Sequence, residues 1–180
     1  MAAALDEAVA SALACGRTER LEQVYRGALA DGQARPAQLQ LGILQACVRL
    51  GRRRAARAWA ERLAARPEGL DGGELADAIA AAAWIGQAAP VLQFCGRLAA
   101  ADPAQGAPAR LDAAQQVLAL ARRMRLPHGR NGAWTTHLKL AQAVREMLEP
   151  ALPGLPEAQR HQACALLEGT RRLLALAPHH

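Results

Sequence analysis

Apolar residues along this chain recur at steps of three and four, and no segment keeps a sustained alternation of apolar and polar positions. That periodicity predicts helices rather than strands. The stretch "ILQACVRLGRRRAARAWAERLAARP", residues 43–67, reads as a helix ending at Gly51, a tight arginine turn, and a second helix stopping near Pro67. The pattern repeats. Gly16 lies 35 residues before Gly51, and Gly86 lies 35 residues after it. Five, eight and twelve residues beyond the three glycines stand Leu21, Val24 and Ala28, then Ala56, Trp59 and Leu63, then Val91, Phe94 and Leu98. Such offsets trace one stripe of an α-helix. Before the turn, Leu44, Ile79 and Ala114 share a column, as do Cys47, Ala82 and Val117, and Leu50, Ile85 and Leu120.

Glycine supplies the left-handed backbone with which helices commonly end, so each unit reads as a helix, a turn at glycine and a second helix. The second helices stop at "ADGQARP", "ARPEGLDGG" and "AADPAQGAP", which are rich in glycine and proline. Asp71 with Glu74 has the spacing of a capping box. The predicted helices are 3–15, 18–30, 37–50, 53–66, 73–85, 89–101, 108–124, 134–148 and 156–176. Ala121 stands where a fourth glycine would fall, and "RLPHGRNGA", residues 125–133, breaks the register. A fixed period of this length marks a helical repeat array. The expected fold is an all-α, right-handed α-solenoid of about four helical hairpins with a 35-residue period. Residues 1–124 would hold three hairpins and the first helix of a degenerate fourth. Residues 125–180 would hold a basic loop and C-terminal capping helices.

The turn glycine, the small apolar residue five positions later and the proline near the end of the second helix resemble a tetratricopeptide repeat. The 35-residue unit, with Ala46-Cys47-Val48-Arg49-Leu50-Gly51 closing a first helix, resembles a pentatricopeptide repeat more closely. The resemblance covers roughly residues 3–120. It implies a binding scaffold. In pentatricopeptide proteins that read RNA bases, the reading side chain sits ten residues before the glycine and is polar. Here those positions hold Asp6, Leu41 and Ala76, with Leu111 in the degenerate unit, and the assisting positions hold Pro36, Asp71 and Gly106. Leucine and alanine cannot hydrogen-bond a base edge, so the resemblance does not extend to sequence-specific reading.

Composition adds a charge to this scaffold. The chain has 180 residues, only 3% aromatic, and a net charge of +6. The charge is uneven: residues 36–70 sum to +5 and residues 71–105 to −3. Arg17, Arg20, Arg52, Arg53, Arg54, Arg57, Arg122, Arg123 and Arg125 fall at or just after one column of the repeat. Equal columns of a stack lie along one edge, so these residues predict a basic ridge, interrupted at Gln87 and Ala88. Arg130 joins them in a basic loop beside Trp134, a combination suited to single-stranded nucleic acid or simply to anchoring the next helix. Arginines at the end of a first helix offset its dipole, whereas Arg52–Arg57 at the start of the next do not.

Other chemistry is sparse. Cys15, Cys47, Cys95 and Cys164 have no CxxC spacing, and His161 with Cys164 lacks further ligands, so neither a metal nor a cofactor is expected. The cysteines read as buried or half-buried free thiols in a reducing compartment. The acidic start of "MAAALDEAVASALACG" argues against a signal or transit peptide, and no apolar run reads as a membrane span. That pattern points to a soluble intracellular protein and leaves a mitochondrion or plastid open. Ser11 is the only serine, and no GxSxG, HExxH or phosphate-binding glycine loop occurs, so no enzyme is expected. The leading expectation is a binding module that holds RNA or a ribonucleoprotein assembly through its arginines without reading bases. The alternative is a tetratricopeptide-like scaffold or chaperone that binds an acidic or helical protein partner. Far-ultraviolet circular dichroism checks the fold directly: a helix-dominated spectrum is expected, and a clear sheet contribution would contradict it.

Overall fold

A computed structural model describes residues 11, 15, 18–30, 36–102, 106–124 and 133–175. All regular structure among them is helical: α1 (Thr18–Ala30), α2 (Pro36–Arg49), α3 (Arg53–Ala65), α4 (Gly72–Ile85), α5 (Ala88–Ala100), α6 (Ala107–Arg123), α7 (Ala133–Leu148) and α8 (Glu157–Ala175), with a single 3-10 turn at Leu152–Gly154. Each helix lies within one residue of its predicted limits. The predicted helix 3–15 lies outside the described residues apart from Ser11 and Cys15. No described helix is long and apolar enough to cross a membrane.

Two compact units divide at Leu70 and Asp71, inside the glycine- and proline-rich link. In the first unit α2 packs against α1 and, more extensively, against α3. Leu39, Leu41, Ile43, Leu44 and Cys47 form the buried side of α2, and Ala56, Ala60 and Leu63 that of α3. Small alanines at the facing positions let the two backbones approach closely.

In the second unit α4 pairs with α5, and α7 packs along both α6 and α5. First helix lies on first helix (α4 on α6) and second on second (α5 on α7), while α8 packs on α6 and α7. The last two helices, α7 and α8, thus both pack against α6. With neighbours on two sides, α4 buries Leu75, Ala78, Ile79, Ala81, Ala82 and Ala83.

The turns show why glycine recurs. Gly51 has φ 66° and Gly86 has φ 87°. At the first turn the Gly51 N–H donates to the Val48 carbonyl at 3.0 Å and the Arg52 N–H to Cys47 at 2.8 Å. At the second, Gly86 donates to Ala83 at 3.1 Å and Gln87 to Ala82 at 3.0 Å. These are the paired bonds of a Schellman end, which satisfy carbonyls the helix leaves open. With Ala121 in the glycine position, α6 instead continues to Arg123. A side chain makes the left-handed exit costly, so the helix runs on. The start of α4 follows expectation too: the Asp71 carboxylate accepts from the Glu74 N–H at 2.9 Å and Glu74 accepts from the Asp71 N–H at 2.8 Å.

One internal cation braces the second unit. Arg110 on α6 has no exposed surface, and it donates to the Ala101 carbonyl at 2.7 Å and the Met147 carbonyl at 3.2 Å. Those carbonyls end α5 and α7, where a positive charge meets the negative pole of each helix. Burial lowers the guanidinium's pKa and nearby Asp102 opposes that shift. The thiols divide. Cys47 and Cys95 are buried, whereas Cys15 and Cys164 are exposed, contrary to the expectation of four covered thiols. Cys164 lies on α8 on a face turned away from its packed neighbours.

Two stability measurements follow. Gly51→Val should lower stability by roughly 1–2 kcal/mol or more in urea unfolding, through left-handed strain and a damaged helix end. An unchanged midpoint would show that the turn needs no glycine. Burial pushes the Cys95 thiol from 9.0 up to about 12, with Glu146 adding to the shift. The unfolded chain therefore loses this proton first as pH rises. The contribution is intact below about pH 9 and declines between 9 and 12, by up to ~1.4 kcal/mol per pH unit. Cys95→Ala should flatten that alkaline slope.

Candidate nucleic-acid interface

The turn between α2 and α3 concentrates cations. Arg49, Arg52, Arg53, Arg54 and Arg57 are all exposed within nine residues of chain. Helix α3 has no acidic residue in its first turn, and no side chain caps its N-terminus at Arg52. The helix dipole places partial positive charge at that end, so Arg53 and Arg54 sit where the helix itself disfavours a cation. The Gly51 end fixes the location: the chain reverses and α3 begins two residues later. Arg57 Nε lies 3.7 Å from Glu61 Oε1, an exposed pair that contributes little to stability.

On the flank of α3 the Arg62 guanidinium lies over the Trp59 ring, 4.8 Å from its centroid. Trp59 is half-buried and Arg62 exposed. Sequence reasoning does not single out this pair. Its signal is nonetheless present in the spacing of three, which puts an aromatic and a cation on one helical face.

The other expected ridge residues have varied settings. Arg20 is exposed and donates to the Cys15 Sγ at 3.5 Å. Arg122 is exposed. Arg123 is exposed too, but it donates to the Ala83 carbonyl at 2.8 Å and so braces the end of α4 against α6. Arg17, Arg125 and Arg130 lie outside the described residues. At the expected interruption, Gln87 is buried and Ala88 half-buried. The base-reading column has a structural use here: Leu41 and Leu111 are buried, so neither can touch a base. In the assisting column Pro36 begins α2, while Asp71 and Gly106 stand just before α4 and α6.

Two grooves mark the second unit. Between α4 and α6 an opening of about 440 Å³ is lined by Ala76, Asp77, Ala80, Asp112, Gln115 and Gln116, among others. Between α5 and α7 a more apolar opening of about 660 Å³ is lined by Leu92, Gly96, Leu138 and Ala143 with Lys139 and Glu146. Among the described residues no three histidine, cysteine or carboxylate side chains gather as a metal site. His161 and Cys164 are both exposed.

Comparison with protein-family models, with curated proteins and with solved structures finds no match for this chain.

Proposed function

We propose that this chain is a non-enzymatic helical-repeat binding module, built as an α-solenoid of hairpins like those of pentatricopeptide and tetratricopeptide proteins. It associates with RNA or a ribonucleoprotein assembly by holding phosphates at the α2–α3 turn. The observation that carries this reading is the placement of Arg52, Arg53, Arg54 and Arg57, exposed, at the N-terminal end of α3. Cations there oppose the helix dipole, whereas an anion there is favoured by the dipole and by the guanidinium groups together. No base is read, because the positions that would do so are buried leucines in two units. The stacked hairpins of the second unit and the matching glycine ends support the solenoid reading. Four free thiols support a reducing compartment.

A second reading rests on the α4–α6 groove. Its alanines would let a partner helix approach closely, and Asp77 and Asp112 favour a partner with basic side chains over an acidic one. On α4, Ala80 lines this groove, whereas Ala83 is fully buried.

Replacing Arg52, Arg53, Arg54 and Arg57 together by glutamine separates the readings, since glutamine keeps a helix propensity close to arginine's. RNA affinity should fall for all sequences alike. The slope of log affinity against log salt should become shallower by up to about 0.7 for each phosphate of a single strand that is no longer neutralised. A partner helix would bind this variant normally and fail to bind Ala80→Glu. RNA binding that is unchanged by the arginine variant and insensitive to salt would refute the leading reading.

A further inference from the structure

Helix α3 carries a second feature on a different face from the Arg57–Glu61 pair. Arg52, Ala55, Trp59, Arg62 and Arg66 follow one another at steps of three and four, so Ala55, Trp59 and Arg62 share one stripe of α3, and Arg52 and Arg66 are the residues that cap its two ends. With its ends the stripe is about 20 Å long. It holds three arginines, all exposed, around one half-buried indole, and no acidic residue falls on it. At its centre the Arg62 guanidinium already lies against the Trp59 ring, 4.8 Å from the centroid. A guanidinium that stacks on an indole keeps its second planar face as a flat, cationic surface.

From this we infer that the Arg62–Trp59 stack is a base-stacking platform that makes the module selective for single-stranded nucleic acid over duplex. The inference rests on the phosphate-binding reading of the α2–α3 turn and extends it. Unpaired bases stack on guanidinium planes and on aromatic rings, and every base has a π-face, so such a site tolerates any sequence. In a duplex the base faces are occupied by their neighbours, and only phosphates are offered. Arg52 and Arg66 lie at the two ends of the stripe, where they can neutralise phosphates on either side of the stacked base. A purely structural cation–π pair would also stabilise α3, but it would not distinguish single strands from duplexes.

Trp84→Phe with Trp134→Phe leaves Trp59 as the only tryptophan, so its emission reports on the stack without altering it. The probes are a 12-nucleotide oligoadenylate RNA and a 12-base-pair RNA duplex, titrated by anisotropy and by tryptophan emission. The single strand should quench Trp59 and bind several-fold more tightly than the duplex. Arg62→Gln and Trp59→Leu should each weaken single-strand binding by about tenfold and leave duplex binding nearly unchanged. Absence of quenching, or equal weakening for both probes, overturns the stacking platform. If glutamine at 52, 53, 54 and 57 weakens both probes while Trp59 emission is indifferent to them, stacking fails and phosphate binding stands. If neither RNA binds and polyglutamate does, both fail and the arginines serve an acidic protein partner.

Discussion

A helix that must reverse within two residues has to leave through left-handed backbone, and this chain does so at glycine. At Gly51 and Gly86 the exit also closes two of the carbonyls that a helix end leaves open with backbone N–H groups. The reversal fixes where the second helix starts and therefore which of its faces meets the first. The buried columns that follow at five, eight and twelve residues are a consequence of that fixed start: Ala56 and Leu63 in one hairpin, and Val91, Phe94 and Leu98 in the other, are fully buried. Where Ala121 replaces the glycine, α6 runs on to Arg123, whose guanidinium then reaches the end of α4.

The same constraint explains the position of the candidate interface. Because Arg52 is held by its own backbone N–H to Cys47, the next two residues open α3 and present arginine side chains at its positive end. The equivalent turn at Gly86 has the same backbone bonds but places Gln87, buried, and Ala88, half-buried, after it. The scaffold therefore does not require arginine there. Arginines at this end of α3 sit against the positive pole of the helix dipole, an end that favours anions.

Helix limits, the two glycine ends and the Asp71–Glu74 capping box were legible in the sequence, because each depends on residues within five positions of one another. What depended on distant contacts was not. Arg110 reads as one more surface cation, yet it is buried against two helix ends contributed by Ala101 and Met147. Arg123 falls in the ridge column by sequence, although Ala83, 40 residues away, accepts its hydrogen bond. Nor did exposure follow from composition for Cys164, since burial of a helical thiol depends on which face its neighbours cover. The packing of α7 along both α5 and α6 was likewise not legible, since it depends on contacts across the irregular loop. Of the site, the arginine cluster was evident from charge alone. The Trp59–Arg62 stack was not, because its column, shared with Val24 and Phe94, reads as core.

Ultraviolet crosslinking of the intact chain to RNA, followed by mass spectrometric mapping of the adducts, tests the central claim most directly. Adducts should map to residues 49–66, with Trp59 prominent. Adducts confined to α4 and α6, or RNA that crosslinks nowhere, would contradict the assignment of the α2–α3 turn as the binding surface.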